Sequence, residues 1–87
     1  MAAGTVLVVE DEASIRRVVR TYLENAGFTA VCTDNGLDAL QLVREVKPDL
    51  IVLDLNLPGM DGTEVAARVR QHSDVYILML TARSEEE

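Results

Sequence analysis

The residues best suited to chemistry are acids placed where apolar runs stop. Thr5–Val9 is followed by Glu10-Asp11-Glu12, Phe28–Thr33 by Asp34, Leu50–Asp54 ends in Asp54 itself, and Val75–Leu80 leads into the hydroxyl of Thr81. Carboxylates that share a crevice raise one another's pKa or need a counter-charge, and the one basic residue near these junctions is Arg83. A cation meets that need. Hard oxygen ligands with room for water and a phosphate oxygen suit Mg2+, whereas one Cys and one His offer no pair at zinc-ligand spacing. A carboxylate held beside Mg2+ can attack phosphorus and form an acyl phosphate. Asp54 is the candidate nucleophile, because Pro58-Gly59 and Asp61-Gly62 force turns just after it and leave it fixed and exposed. Thr81 can donate its hydroxyl to a phosphoryl oxygen.

The elements that must position these groups alternate along the chain. Short apolar runs separated by amphipathic stretches indicate parallel strands joined by helices. Thr5–Val9, Leu50–Asp54 and Val75–Thr81 are apolar on both alternating faces, as strands covered from both sides are; Phe28–Thr33 is weaker and reads as an edge. Ile15, Val18, Val19, Tyr22, Leu23 and Ala26 recur at helical spacing up to Gly27. Leu37, Leu40, Val43 and Val46 mark a second helix, begun near Asp34-Asn35-Gly36 and closed by Lys47-Pro48. A third helix spans about Gly62 to Arg70, with Asp61 as N-cap and Val65, Ala66 and Val69 inward. The order βαβαβαβ predicts an α/β fold, a flavodoxin-like doubly wound parallel sheet in the order 2-1-3-4. Strands one and three are then neighbours, and Glu10, Asp11 and Asp54 crowd the crevice at their C-terminal ends, with Asp34 a strand further off.

Composition sets the outer bounds. With 87 residues, the chain accommodates one domain and a thin core. Fifteen acidic residues against eight basic ones give a charge of −7, which repels nucleic acid and anionic membrane surfaces. Cys32 alone makes no internal disulfide and reads as a small core residue, in keeping with a reducing compartment. Met1-Ala-Ala-Gly4 has no basic leader, and no apolar run approaches the ~18 residues of a membrane span, so the expected location is cytoplasmic. His72 falls in a polar turn and reads as solvated, Met60 as a loop anchor, Met79 as core filler, and Tyr22 and Tyr76 as packing residues.

Three segments together carry a family resemblance: Val-Leu-Val-Val-Glu-Asp-Glu at 6–12, Asp-Leu-Asn-Leu-Pro-Gly-Met-Asp-Gly at 54–62 and Leu80-Thr81-Ala82. In that order and spacing, the sequence closely resembles the receiver domain of two-component response regulators along its whole length. The resemblance implies Asp54 as phosphoacceptor, Glu10 and Asp11 as the acidic Mg2+ pair, and the Asn56 backbone carbonyl as a further metal ligand. It implies Thr81 as switch hydroxyl and Ala82 as the small residue that leaves the phosphoryl group accessible. The side chains of Asn56 and Arg83 take the positions that tune phosphoryl lifetime. A sensor histidine kinase is the implied donor, and the module is a signalling switch rather than a turnover enzyme.

The family continues through a fourth helix, a fifth strand and a fifth helix that residues 1–87 do not supply, so a partial receiver truncated after strand four is expected. The family's phosphoryl-pairing Lys after strand five is therefore not supplied; Lys47-Pro48 precedes strand three at the opposite sheet edge. An apolar fourth strand left at the edge favours a rival reading, a self-associating module that pairs strand four or helix faces with another copy. A third reading, an aspartyl phosphatase of the haloacid-dehalogenase kind, needs an acid two residues after the nucleophile, where Asn56 stands. No Gly-x-Gly-x-x-Gly follows strand one, which disfavours a dinucleotide fold.

Overall fold

A computed structural model describes residues 3–80. The chain runs β1 (Thr5–Val9), α1 (Ala13–Asn25), β2 (Thr29–Thr33), α2 (Gly36–Val46), β3 (Leu50–Asp54), α3 (Gly62–Arg70) and β4 (Tyr76–Leu80). The strands form one parallel sheet in the order β2-β1-β3-β4, as the alternation of apolar runs and amphipathic stretches predicts. Register is set by the central pair, in which Val6 lies opposite Leu50 and Val9 opposite Leu53.

The period-two alternation of β1 and β3 sorts their side chains onto two faces. Leu7, Val9, Ile51 and Leu53 meet Ala39 of α2 and Val65, Ala66 and Val69 of α3, with Leu57 of the following loop. Val6, Val8 and Val52 form a smaller cluster on the other face, where Val19 and Leu23 of α1 pack with Phe28 and Cys32. Full burial of a Val, Leu or Ile side chain contributes about 1.5–3 kcal/mol, so these central strands anchor the fold.

Helix ends follow the side chains that flank them. Asn35 caps α2 by accepting from the Asp38 N–H at 2.8 Å, and Asp61 caps α3 by accepting from the Glu64 N–H at 3.0 Å. Gly27 ends the α1 turn at φ +95°, a conformation glycine adopts without a Cβ clash. Lys47 closes α2 in the left-handed region at φ 51°, and buried Pro48 follows it. At its start α1 lacks this support: Glu12 takes the cap position but accepts no N–H there with its side chain.

Several expectations about burial are corrected. Tyr22 and Val18 of α1 stand 75% and 55% exposed, and Leu37 projects from the first turn of α2. Strand β4 is apolar yet open: Tyr76, Leu78 and Met79 are exposed, while Ile77 and Leu80 reach the two core clusters. The expectation of a strand covered on both faces fails because, among the described residues, β4 is held mainly by its ladder to β3. Cys32 is only partly buried, since β2 is an edge strand.

Gly62 opens α3 against the end of β3. Its N–H donates to the Leu55 carbonyl at 3.1 Å, and a Cβ at this position would lie 2.5 Å from the Asp54 carbonyl oxygen and 2.7 Å from Leu55 Cα. Both obstacles are backbone and cannot rotate aside. Gly62→Ala is therefore expected to cost about 1–3 kcal/mol of stability, read as a lower urea midpoint at unchanged slope.

Candidate functional site

Because β1 and β3 are neighbours that end at the same edge, the residues following their last paired positions meet there. Glu10 continues β1 past Val9, and Asp54 closes β3. Both are buried, at 4% and 3% exposure, whereas Asp11 is exposed at the rim; the expectation that the turns leave Asp54 exposed is thus corrected, because the loop after β3 and the start of α3 close over it. One carboxylate oxygen from each of Glu10, Asp11 and Asp54 lies within 4.8 Å of the others. Asp34 remains outside this group beyond β2, where it accepts from the Asn35 side-chain amide at 2.9 Å.

Local backbone fixes the two buried acids. The Asn56 N–H donates to Asp54 Oδ1 at 3.0 Å, a local side-chain turn that holds the carboxylate against the start of its own loop. The Glu12 N–H donates to Glu10 Oε2 at 3.1 Å. From α1, Arg16 Nη1 donates to the Glu10 main-chain carbonyl at 2.8 Å, and the Glu10 N–H donates to the Thr33 carbonyl at 3.0 Å. At the far end of the sheet edge, Leu80 lies opposite Asp54, and the Leu55 N–H donates to its carbonyl at 3.0 Å. Thr81, Ala82 and Arg83 lie outside the described residues.

Electrostatics sets the demand on this crevice. Among the described residues the ion pairs are Arg20–Glu24 and Arg68–Glu64, both exposed and both away from it. Uncompensated buried carboxylates are costly, and here the cost falls on Glu10. The Glu10 carboxyl is pushed up to about 7, first by loss of water and then by the adjoining Asp54 and Asp11, against the pull of the Glu12 N–H.

The donor set fits a small hard cation. Mg2+ takes carboxylate oxygens and water rather than nitrogen or sulfur, and three carboxylates each offer one oxygen within 4.8 Å of the others. Exposed Asp11 leaves one side of the group open to water or a phosphate oxygen. Glu10, Asp11 and Asp54 could therefore hold a metal ion, and such an ion would neutralise the charge that otherwise forces a proton onto Glu10.

The sequence motifs place Glu10, Asp11 and Asp54 at one sheet edge, where the structure brings their carboxylates together. They give no sign of Arg16 as a partner of the Glu10 carbonyl, because its place off the apolar stripe of α1 describes any exposed arginine. The close approach of Gly62 to Asp54 is likewise hidden, although the Asp-Gly pair marks a turn there.

A family model for the response regulator receiver domain matches residues 6–87. The transcriptional regulatory protein ResD of Bacillus subtilis is 46% identical over 81 residues, covering 93% of this chain and 34% of that protein. The DNA-binding response regulator MtrA of Mycobacterium leprae is 44% identical over 80 residues, covering 92% of this chain and 36% of the relative. The chain thus spans about a third of the length of these relatives. Among solved structures, the N-terminal domain of a response regulator receiver protein from Methanoculleus marisnigri superposes with a TM-score of 0.89 at 33% identity, covering 98% of this chain and 72% of that one. The chemotaxis response regulator CheY4 of Vibrio cholerae gives 0.87 at 36% identity, again over 98% and 72%. With its four parallel strands in the order 2-1-3-4 and its acids gathered at their C-terminal ends, the chain belongs to the response regulator receiver domain family.

Proposed function

We propose that residues 1–87 form the phosphoacceptor part of a two-component receiver, with Asp54 taking a phosphoryl group from a phosphohistidine of a sensor histidine kinase. The observation that carries this reading is the meeting of Glu10, Asp11 and Asp54 in one crevice, two of them buried and none paired with a base among the described residues. An oxygen of Asp54 attacks phosphorus as the P–N bond breaks; the imidazole nitrogen leaves with the electron pair, and Asp54 becomes an acyl phosphate. Mg2+, when bound, would offset charge on the transferring group. Glu10, Asp11, Asp54 and the Asn56 backbone carbonyl would hold it.

By family resemblance, Thr81 contacts a phosphoryl oxygen, Ala82 keeps access open, and the side chains of Asn56 and Arg83 set how long the acyl phosphate survives. ResD is described as a transcriptional regulatory protein and MtrA as a DNA-binding response regulator, which supports a switch upstream of transcription in a longer parent. No helix of the described residues is long and apolar enough to cross a membrane.

A second reading has its own observation. Among the described residues strand β4 is an edge with Tyr76, Leu78 and Met79 exposed, a template for pairing with another copy. Self-association would appear as a mass that rises with concentration in light scattering, and a monomer throughout the accessible range would overturn it.

Two measurements test the main reading. Incubation with a small phosphodonor and Mg2+ should add one phosphoryl group to the intact mass, and Asp54→Asn should abolish it; undiminished labelling of the variant would refute the assignment. The second is a pH profile. Glu10 ionises near 7 in the folded chain against 4.5 when unfolded, so between these values the native state holds the extra proton. Metal-free protein is thus expected to lose stability as pH rises from about 4.5 through 7, with Glu10→Gln flattening that slope. At pH 8 Mg2+ should raise the melting temperature, by the equivalent of about 1.4 kcal/mol at ten times Kd, and by less at pH 5.5, where it must displace the proton.

A further inference from the structure

The turn carrying the acidic pair is lightly anchored on the helix side. Helix α1 begins without a side-chain cap, no acid occupies its first turn, and none of its residues is fully buried. Between the last residue of β1 and the first of α1 lie Glu10, Asp11 and Glu12 alone. One side-chain bond internal to this turn is the Glu12 N–H to Glu10 Oε2, and it uses the same carboxylate that a metal ion would need. From outside, the half-buried guanidinium of Arg16 donates to the Glu10 carbonyl at 2.8 Å. A guanidinium donor makes a charge-assisted bond, stronger than a neutral pair.

We propose that Arg16 is a positioning residue for cation binding: by holding the Glu10 main chain at the crevice, it leaves the Glu10 carboxylate free to turn from the Glu12 N–H toward a metal ion. This rests on the reading of Glu10, Asp11 and Asp54 as the metal-binding group. Arg16 acts through the backbone of a ligand rather than on the ion, as outer residues that orient metal ligands do.

The proposal is sharp because it reverses the sign expected from charge alone. Arg16 brings a positive charge near a site for a dication. If Coulomb repulsion were its main effect, removing that charge would tighten metal binding. If positioning dominates, removal weakens binding. Arg17, next to it and fully on the exposed side, makes no such bond to Glu10 and reports the charge effect by itself.

Calorimetric titration with Mg2+ at pH 8, on the full chain, distinguishes the two. Arg16→Met, which keeps the apolar stem, should weaken Mg2+ affinity about tenfold. Arg16→Lys, which retains a cationic donor, should recover most of it, to within about threefold of the parent. Arg17→Met should bind equally or more tightly. Circular dichroism without metal establishes that each variant is folded, and Arg16→Ala, with the best helix propensity, replaces Arg16→Met if that variant is not. Unchanged or tighter binding by a folded Arg16→Met or Arg16→Ala overturns the proposal, as does Arg17→Met weakening as much. Asp54→Asn is included so that the underlying reading is judged separately: if it binds Mg2+ as well as the parent, or the parent binds none, the metal site itself is wrong and Arg16 has no such role.

Discussion

The structure turns on two carboxylates buried side by side at the ends of adjacent parallel strands. Glu10 and Asp54 are each nearly inaccessible to water, and no cationic side chain among the described residues compensates them. Such an arrangement would not persist on a loop. It holds here because β1 and β3 are the central strands, and their apolar side chains on both faces commit them to the middle of the sheet. Folding thus brings the acids together whether or not their charges favour it. Proton uptake by Glu10 relieves the free protein, and a metal ion would relieve it more completely.

The rest of the fold is uneven in how firmly it supports this crevice. On the face of α2 and α3 the core is large, both helices are capped by their own side chains, and Gly62 lets α3 close directly onto the backbone of Asp54. On the face of α1 the cluster is small, the helix start is uncapped, and neighbouring β4 keeps much of its apolar surface in water. Asp54 is therefore fixed by packing, while Glu10 and Asp11 depend on a few hydrogen bonds. The proposed phosphoryl transfer would need this rigidity most at Asp54, where small displacements disturb the line of attack. The proposed metal ligands on the other strand would tolerate more freedom, because coordination itself would order them.

Much of this was legible in the amino-acid sequence. Apolar runs of five or so residues between helical stripes define parallel strands, the Asp61 cap and the Asp34-Asn35-Gly36 stretch mark helix starts, and Pro58-Gly59 with Asp61-Gly62 locates the turn beyond Asp54. These are local signals, set by backbone conformation and by alternation of side chains, and neighbouring residues suffice to express them. The strand order and the meeting of Glu10, Asp11 and Asp54 follow from the same pattern once parallel strands are assumed, since all ends then share one edge.

What only the tertiary structure decided is which side of each apolar stripe is covered and which polar groups reach across elements. Val18 and Tyr22 lie on the apolar side of α1 by spacing, yet they stand in water because burial depends on a second surface that periodicity does not describe. The exposure of Tyr76, Leu78 and Met79 has the same cause. The Arg16 bond to the Glu10 carbonyl, the gathering of the acids within 4.8 Å and the backbone contact at Gly62 depend on distances between segments far apart or differently oriented. The amino-acid sequence by itself determined the elements and the chemistry at their ends; packing in three dimensions determined the spacing, burial and hydrogen bonding that could make those ends a site.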